Sequence, residues 1–274
     1  MRRRTILIIG AASVTTGFTW LERWAAPASR LVDAHWTQSG SGSSVDHGPW
    51  AAFLQRFVTA DDAGVNRVRY DQVGPADRAA LDAYIADLAA TDVTALARAE
   101  QLALWINLYN ALTVRTVLDH PGVDSIREIT FGRSGASGPW GEPLVTVEDR
   151  DLSLDDIEHG IIRPVFDEPR IHYAVNCAAV GCPNLQMTPF TAAGLDDQLD
   201  QAARSYVNDP RGVALTVGGD VELSSIYNWF RADFGGSETA VLGHLQAFAE
   251  PGLRERLAGA SIDSYTYDWA LNGA

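Results

Sequence analysis

The 274-residue sequence contains no lysine, so all 21 of its basic residues are arginines. A GC-rich genome accounts for that as well as any function does, and no functional reading is attached to it. Basic charge is scarce altogether: 35 Asp and Glu outweigh the arginines, for a formal net charge of −14. That balance argues against nucleic acid and anionic membrane surfaces as partners, because both bind through clustered positive charge. Cysteine is nearly absent, with only Cys177 and Cys182, five residues apart. Two are too few for a disulfide-framework fold and leave one local loop, one corner of a metal site, or reactive thiols. Beyond residue 30 no stretch is apolar enough to span a bilayer, and no internal repeat is present.

With 46% hydrophobic and 20% charged residues, the composition is that of a globular chain with ample material for a core. Residues 1–30 read as an export signal. Arg2-Arg3-Arg4 precedes an apolar core from Thr5 to Ala12, and small residues near Ala25, Ala26 and Ala28 offer a cleavage region. Arg3-Arg4-Thr5-Ile6-Leu7 is similar to a twin-arginine signal without its flanking Ser and Lys; Sec export stays open beside it. The expected location is therefore periplasmic or secreted, with no stable membrane span after cleavage. Residues 31–46, with Gln-Ser-Gly-Ser-Gly-Ser-Ser at 38–44, read as a flexible linker. A single globular domain is expected over 47–272.

Periodicity predicts helices over 49–58, from Pro75, and over about 94–118. The last of these is apolar nearly all round, which marks a central buried helix. Short strands are predicted at 65–70, 126–131, 144–147 and 170–177, and a hairpin at 214–223 around Gly218-Gly219. Ser153 with Asp156 forms a capping box for a helix ending at Arg163-Pro164. Further helices are predicted from Thr191 to Val207, over 224–233 and over 238–257. Helices and strands mix without a βαβ rhythm, so the expected fold is α+β: one mixed domain, a buried central helix and a small, mainly antiparallel sheet.

The chemical interest gathers between His172 and Cys182. Pro183 suits the first turn of a helix, so Cys182 is placed at a helix N-cap, where the peptide dipoles favour a thiolate. His172 is the base, provided that the intervening turn folds Cys182 toward it. Glu158 and His159 are candidates to orient the imidazole, and Asn107 or Asn176 to donate to an oxyanion. Asn110, Asn176, Arg170 and Trp140 complete the set as binding candidates. The bland alternatives stand beside this reading. The cysteines form a local disulfide, join His172 and His159 at a metal, or are plain buried thiols. Asn107 and Asn110 are satisfied structural polar groups in that view, and Asp155 with His159 is an ordinary i,i+4 pair. No metal or cofactor is assigned.

Several segments in combination resemble one family. They are Glu100-Gln101 leading to Trp105-Ile-Asn107-Leu-Tyr109-Asn110, Ser153-Leu-Asp-Asp-Ile-Glu158-His159, Arg163-Pro164, and Pro169-Arg170-Ile-His172-Tyr-Ala-Val-Asn176-Cys177. Gly181-Cys182-Pro183, Trp229-Phe230 with Asp233-Phe234, and Tyr267-Asp268-Trp269 continue the pattern. Together they are similar to the bacterial exported branch of the domain of unknown function 547 family, over about residues 47–272. The resemblance implies that His172 and Cys182 belong to the family pattern. Gly181 stands where the family carries Ser, so no hydroxyl is available there. The functional expectation is a cysteine-dependent hydrolase or acyltransferase of papain- or transglutaminase-like chemistry, acting on amide or ester bonds of a small-molecule or peptide substrate. The alternative is a non-catalytic extracytoplasmic binding domain with a Cys177–Cys182 disulfide. Oligomeric state is not legible.

Overall fold

A computed structural model describes residues 28–42, 44–132 and 137–274. The expected export signal lies outside the described residues except for its last three. Among the described residues, eight α-helices and seven short strands form one mixed α+β domain. The chain runs through α1 (Gly48–Phe57), β1 (Val58–Ala60), β2 (Asn66–Val68), α2 (Pro75–Ala89) and α3 (Arg98–Asp119). It continues through β3 (Val145–Val147), β4 (Arg150–Leu152), a π-helical segment at Asp156–Ile162 that runs into α4 (Arg163–Phe166), and α5 (Leu195–Val207). β5 (Val213–Leu215), β6 (Val221–Ser224), α6 (Ile226–Trp229), α7 (Glu238–Phe248), α8 (Pro251–Leu257) and β7 (Ile262–Thr266) complete it.

The expected small sheet is divided into three. Two are isolated antiparallel hairpins, β1–β2 and β3–β4. In the third, β5 pairs antiparallel to β6 and β7 pairs parallel to it, so the aromatic end at 265–267 is partly strand. The centre is α3, in which every residue from Gln101 to Val114 is buried. Such a helix has no solvent face on which to place polar groups, and each finds a protein partner. Thr113 and Thr116 donate to the carbonyls four residues back, and Gln101 donates to the Val93 and Gln38 carbonyls.

The helix expected over 224–233 shrinks to Ile226–Trp229, the one over 238–257 is broken ahead of Pro251, and the one expected to end at Arg163-Pro164 runs on to Phe166. Three further expectations are corrected. Residues 126–131 hold a 3-10 turn (Ile126–Glu128) opened by the Ser125 side chain, because no described strand lies alongside to pair with. Residues 170–177 are not a strand: Pro169–Tyr173 is a 3-10 helix, since Pro169 pre-sets the first turn and Glu168 accepts from the Arg170 amide. No helix begins at Cys182. Pro183 gives its carbonyl to Asn176, and Asn184 is drawn to Asn66, Gly64 and Arg211, which holds the segment irregular.

The Gly-Ser stretch expected as a tether also packs, for its described part. The Gly40 and Gly42 amides donate to Leu96 and Ala95, and a Cβ on either glycine would collide with the Ala95 carbonyl. Trp36 is buried edge-on against Trp105. Earlier still, Arg30 and Val32 donate to the carbonyls of His159 and Gly160 in the π-helical segment. The Val32 side chain occupies the space that a Cβ on Gly160 would need.

Asn110 shows what a polar group on α3 contributes. It donates to the Ala174 carbonyl at 2.9 Å and accepts from the Asn176 amide at 2.8 Å, both buried. Asn110→Ala should cost about 2–4 kcal/mol, since two backbone groups lose their partners. A urea midpoint that falls with an unchanged slope would confirm it, and an unaltered midpoint would contradict it.

Candidate functional site

Three parts of the chain meet beside α3. The capping box forms as expected, with Asp156 accepting from the Ser153 amide and hydroxyl and donating its own amide back. The helix that it opens is a π-helix rather than an α-helix, a geometry frequent at functional sites. It presents Glu158 and His159 to α3, with Arg163 next at the start of α4. The 3-10 turn brings His172, and the segment after α6 brings Phe230, Asp233 and Phe234.

Asp233 is the hub. Its carboxylate accepts both the Nε and an Nη of Arg163, at 2.6 and 3.0 Å, and the Nε2–H of His172 at 2.8 Å. The His172 side chain is 1% exposed, and the half-buried Phe230 ring lies flat on it at 4.2 Å. Its other nitrogen, Nδ1, is buried with no hydrogen-bond partner among the described residues and faces Glu158 Oε1 at 3.9 Å. The Tyr109 hydroxyl of α3 lies beside Glu158 and favours its ionised form. His159 Nδ1 accepts from Arg163 at 3.2 Å and lies 3.7 Å from Glu158.

Burial sets the protonation. It raises Glu158 above the ordinary carboxyl range and holds His172 below the ordinary imidazole value, although hydrogen bonds and most neighbouring charges oppose both shifts. His159 is pushed down to about 4 by burial. Burial alone would raise Asp233 too, but hydrogen bonds from His172 and Arg163 outweigh it and hold the carboxylate far below its usual range. The outcome is an ionised Asp233–Arg163 pair beside an imidazole shifted toward its neutral form and a carboxyl shifted toward its protonated form.

The cysteines are disulfide-bonded, Cys177 to Cys182. Cys182 Sγ accepts the Cys177 amide N–H at 3.0 Å, and the Tyr267 hydroxyl lies 3.0 Å from Cys182 Sγ and 3.2 Å from Cys177 Sγ. Ala178 in the loop adopts φ +61°, a conformation that residues other than glycine rarely take. His172 does not hydrogen-bond to either sulfur.

The structure thus brings His172, Glu158 and His159 together. No hydrogen bond joins Cys182 to that cluster, and Cys182 is no helix cap. Asn107 is tied both ways to the backbone of Phe190, and Asn176 holds Pro183 and Ala178. Arg170 pairs with Glu168, Asp196 and Asp200. Trp140 packs edge-on against Trp269. Sequence reasoning missed Asp233, Arg163, Tyr109 and Tyr267. Arg163 had a local signal, four residues beyond His159. Asp233 lies 61 residues beyond His172, and only the fold pairs them. Among the described residues no group of three or more His, Cys, Asp or Glu side chains is disposed to hold a metal ion. No helix there is long and apolar enough to cross a membrane.

Over residues 93–207 the chain matches the model of a family described as "Protein of unknown function, DUF547". The match supports that family for this chain. It spans Tyr109, Glu158, Arg163, His172 and both cysteines, and ends before Asp233 and Tyr267. No curated protein matches, and no solved structure does.

The buried imidazoles carry a pH signature. A histidine held neutral by the fold contributes stability fully above its unfolded pKa near 6.5, and loses it as the pH falls toward the folded value. For His159, and for His244, which burial also pushes to about 4, the window is pH 6.5 down to 4. Glu158, raised, works in the opposite sense. His159→Gln should therefore flatten the decline in unfolding free energy between pH 7 and pH 4.5 by on the order of 2 kcal/mol. Parallel curves for the two proteins would contradict this.

Proposed function

We propose that the protein is an extracytoplasmic hydrolase or acyltransferase for amide or ester bonds of a small-molecule or peptide substrate, with His172 and Glu158 moving the protons. The observation that carries the reading is His172 Nδ1. A buried imidazole normally has both nitrogens satisfied, and leaving one without a partner costs about 1–3 kcal/mol; His47 Nε2 is buried in the same state, but it is His172 Nδ1 that faces a buried carboxyl, at 3.9 Å. By taking the Nε2–H, Asp233 places the lone pair on Nδ1, which a general base requires. Glu158, raised by burial, supplies a carboxyl that holds its proton at higher pH than an exposed one and can give it up to a leaving group. Asp233 and Arg163 are positioning residues, and His159 borders the same carboxyl.

The disulfide favours a second reading, a non-catalytic binding domain stapled at that loop, because the intact bond leaves Cys182 no thiolate. A panel of p-nitrophenyl esters and peptide anilides, offered to oxidised and reduced protein, separates the two. Turnover should fall about 10²–10⁴-fold in His172→Gln and in the isosteric Glu158→Gln, with circular dichroism unchanged. A comparable loss in Cys182→Ser would assign the attack to the thiol, and retained turnover would assign it to an activated water. No turnover by either redox form across the panel would leave the binding reading in its place.

A further inference from the structure

We propose that Cys177 and Cys182 are a redox-active pair that undergoes thiol–disulfide exchange with an external dithiol, with Cys177 as the sulfur attacked and Cys182 as the leaving thiolate. The exchange requires neither His172 nor Glu158.

Three observations carry it. First, the two sulfurs differ in access: Cys182 is 3% exposed, whereas Cys177 is only half-buried, so an incoming thiolate meets Cys177. Second, the buried sulfur is the one prepared for charge. The Cys177 amide N–H points at Cys182 Sγ at 3.0 Å, and the Tyr267 hydroxyl stands 3.0 Å from that sulfur and 3.2 Å from Cys177 Sγ. Burial holds that phenol well above its usual range, so it remains a donor throughout the neutral region. The amide hydrogen bond falls to Cys182 alone and the phenol is shared at slightly shorter range to it, so this sulfur leaves more readily as thiolate.

Third, the loop does not depend on the S–S bond. The Val180 and Gly181 amides donate to Ala270 and Asp268, and the Asn272 amide donates to Ala178. Asn176 spans the loop, accepting from the Ala178 amide and donating to the Pro183 carbonyl. The Tyr206 hydroxyl donates to the Gly181 carbonyl, and a Cβ at Gly181 would collide with the Asp268 backbone. A disulfide that closes so short a loop stabilises the fold less than one closing a long loop, and this loop is tied elsewhere as well. Opening it leaves the surrounding backbone in place.

The step balances as an exchange. One thiolate of the external dithiol attacks Cys177 Sγ, the Cys177–Cys182 bond breaks, and its electron pair leaves on Cys182. The second thiol of the dithiol then attacks its own sulfur in the mixed disulfide and releases Cys177. The dithiol is oxidised to a disulfide, the protein pair is reduced to two thiols, and two electrons have passed.

The test uses the full-length oxidised protein, with dithiothreitol as the dithiol and an iodoacetamide quench read by mass spectrometry. Reduction should proceed without denaturant, leave circular dichroism unchanged, and slow at least about tenfold in Tyr267→Phe, which keeps the ring and removes only the donor. With glutathione as a monothiol trap, the mixed disulfide should sit on Cys177. Reduction that needs unfolding concentrations of urea, an unchanged rate in Tyr267→Phe, or an adduct on Cys182 would each overturn the proposal. Should Tyr267→Phe not fold, the position of the adduct in the unaltered protein decides alone.

Discussion

A helix enclosed on every side cannot leave its polar side chains to water, and in α3 each of them becomes an instruction to a neighbouring segment. Asn107 claims both backbone groups of Phe190, and Asn110 claims Ala174 and Asn176. Tyr109, between them in sequence, reaches Glu158. The segments carrying the imidazole, the cysteine loop and the π-helix are thus located from one rod. Apolar burial supplies the cohesion of this core, but the direction in which each loop leaves it is set by unpaired donors and acceptors that had to be matched.

Asp233 organises the electrostatics around that rod. A carboxylate buried alone would take up a proton; bound by the Arg163 fork and by His172 Nε2–H it stays ionised. Its charge is already matched by Arg163, so His172 gains no full counter-ion and stays neutral. Glu158, deprived of water and facing an uncharged ring, keeps its proton more firmly than an exposed glutamate. Burial drives the shifts of Glu158 and His172, and only at Asp233 do the hydrogen bonds from Arg163 and His172 override it.

Periodicity made most of the helical frame legible. The buried centre was announced by a run with no polar face, and the capping box at Ser153 by its spacing. Half of the acid–base cluster was legible too, as Glu158, His159 and His172. The failures have physical causes. Residues 170–177 look extended because their apolar residues alternate, yet Glu168-Pro169 starts a helical turn before alternation can act. Pro183 looks like a helix start, but Asn176 and Asn184 offer the chain other hydrogen bonds and win. The partnership of Asp233 with His172 and Arg163, and of Tyr267 with the cysteines, spans tens of residues and leaves no periodic trace.

The strap from Arg30 to Gly42 changes what counts as the folding unit. Its amides cap carbonyls that the π-helical geometry leaves to outside partners, its valine fills the gap left by a missing side chain at Gly160, and its tryptophan packs on the central helix. A piece of this protein trimmed to begin at His47 would therefore be an incomplete solid, with an open groove behind Glu158 and His159 and a vacant socket beside Trp105. The boundary of thermodynamic autonomy lies upstream of the first long helix. Arg30 and Val32 belong to the wall of the cluster in which the ionisable groups are shielded from water, and the Gly-Ser stretch that looks dispensable by composition continues that strap across Ala95 and Leu96.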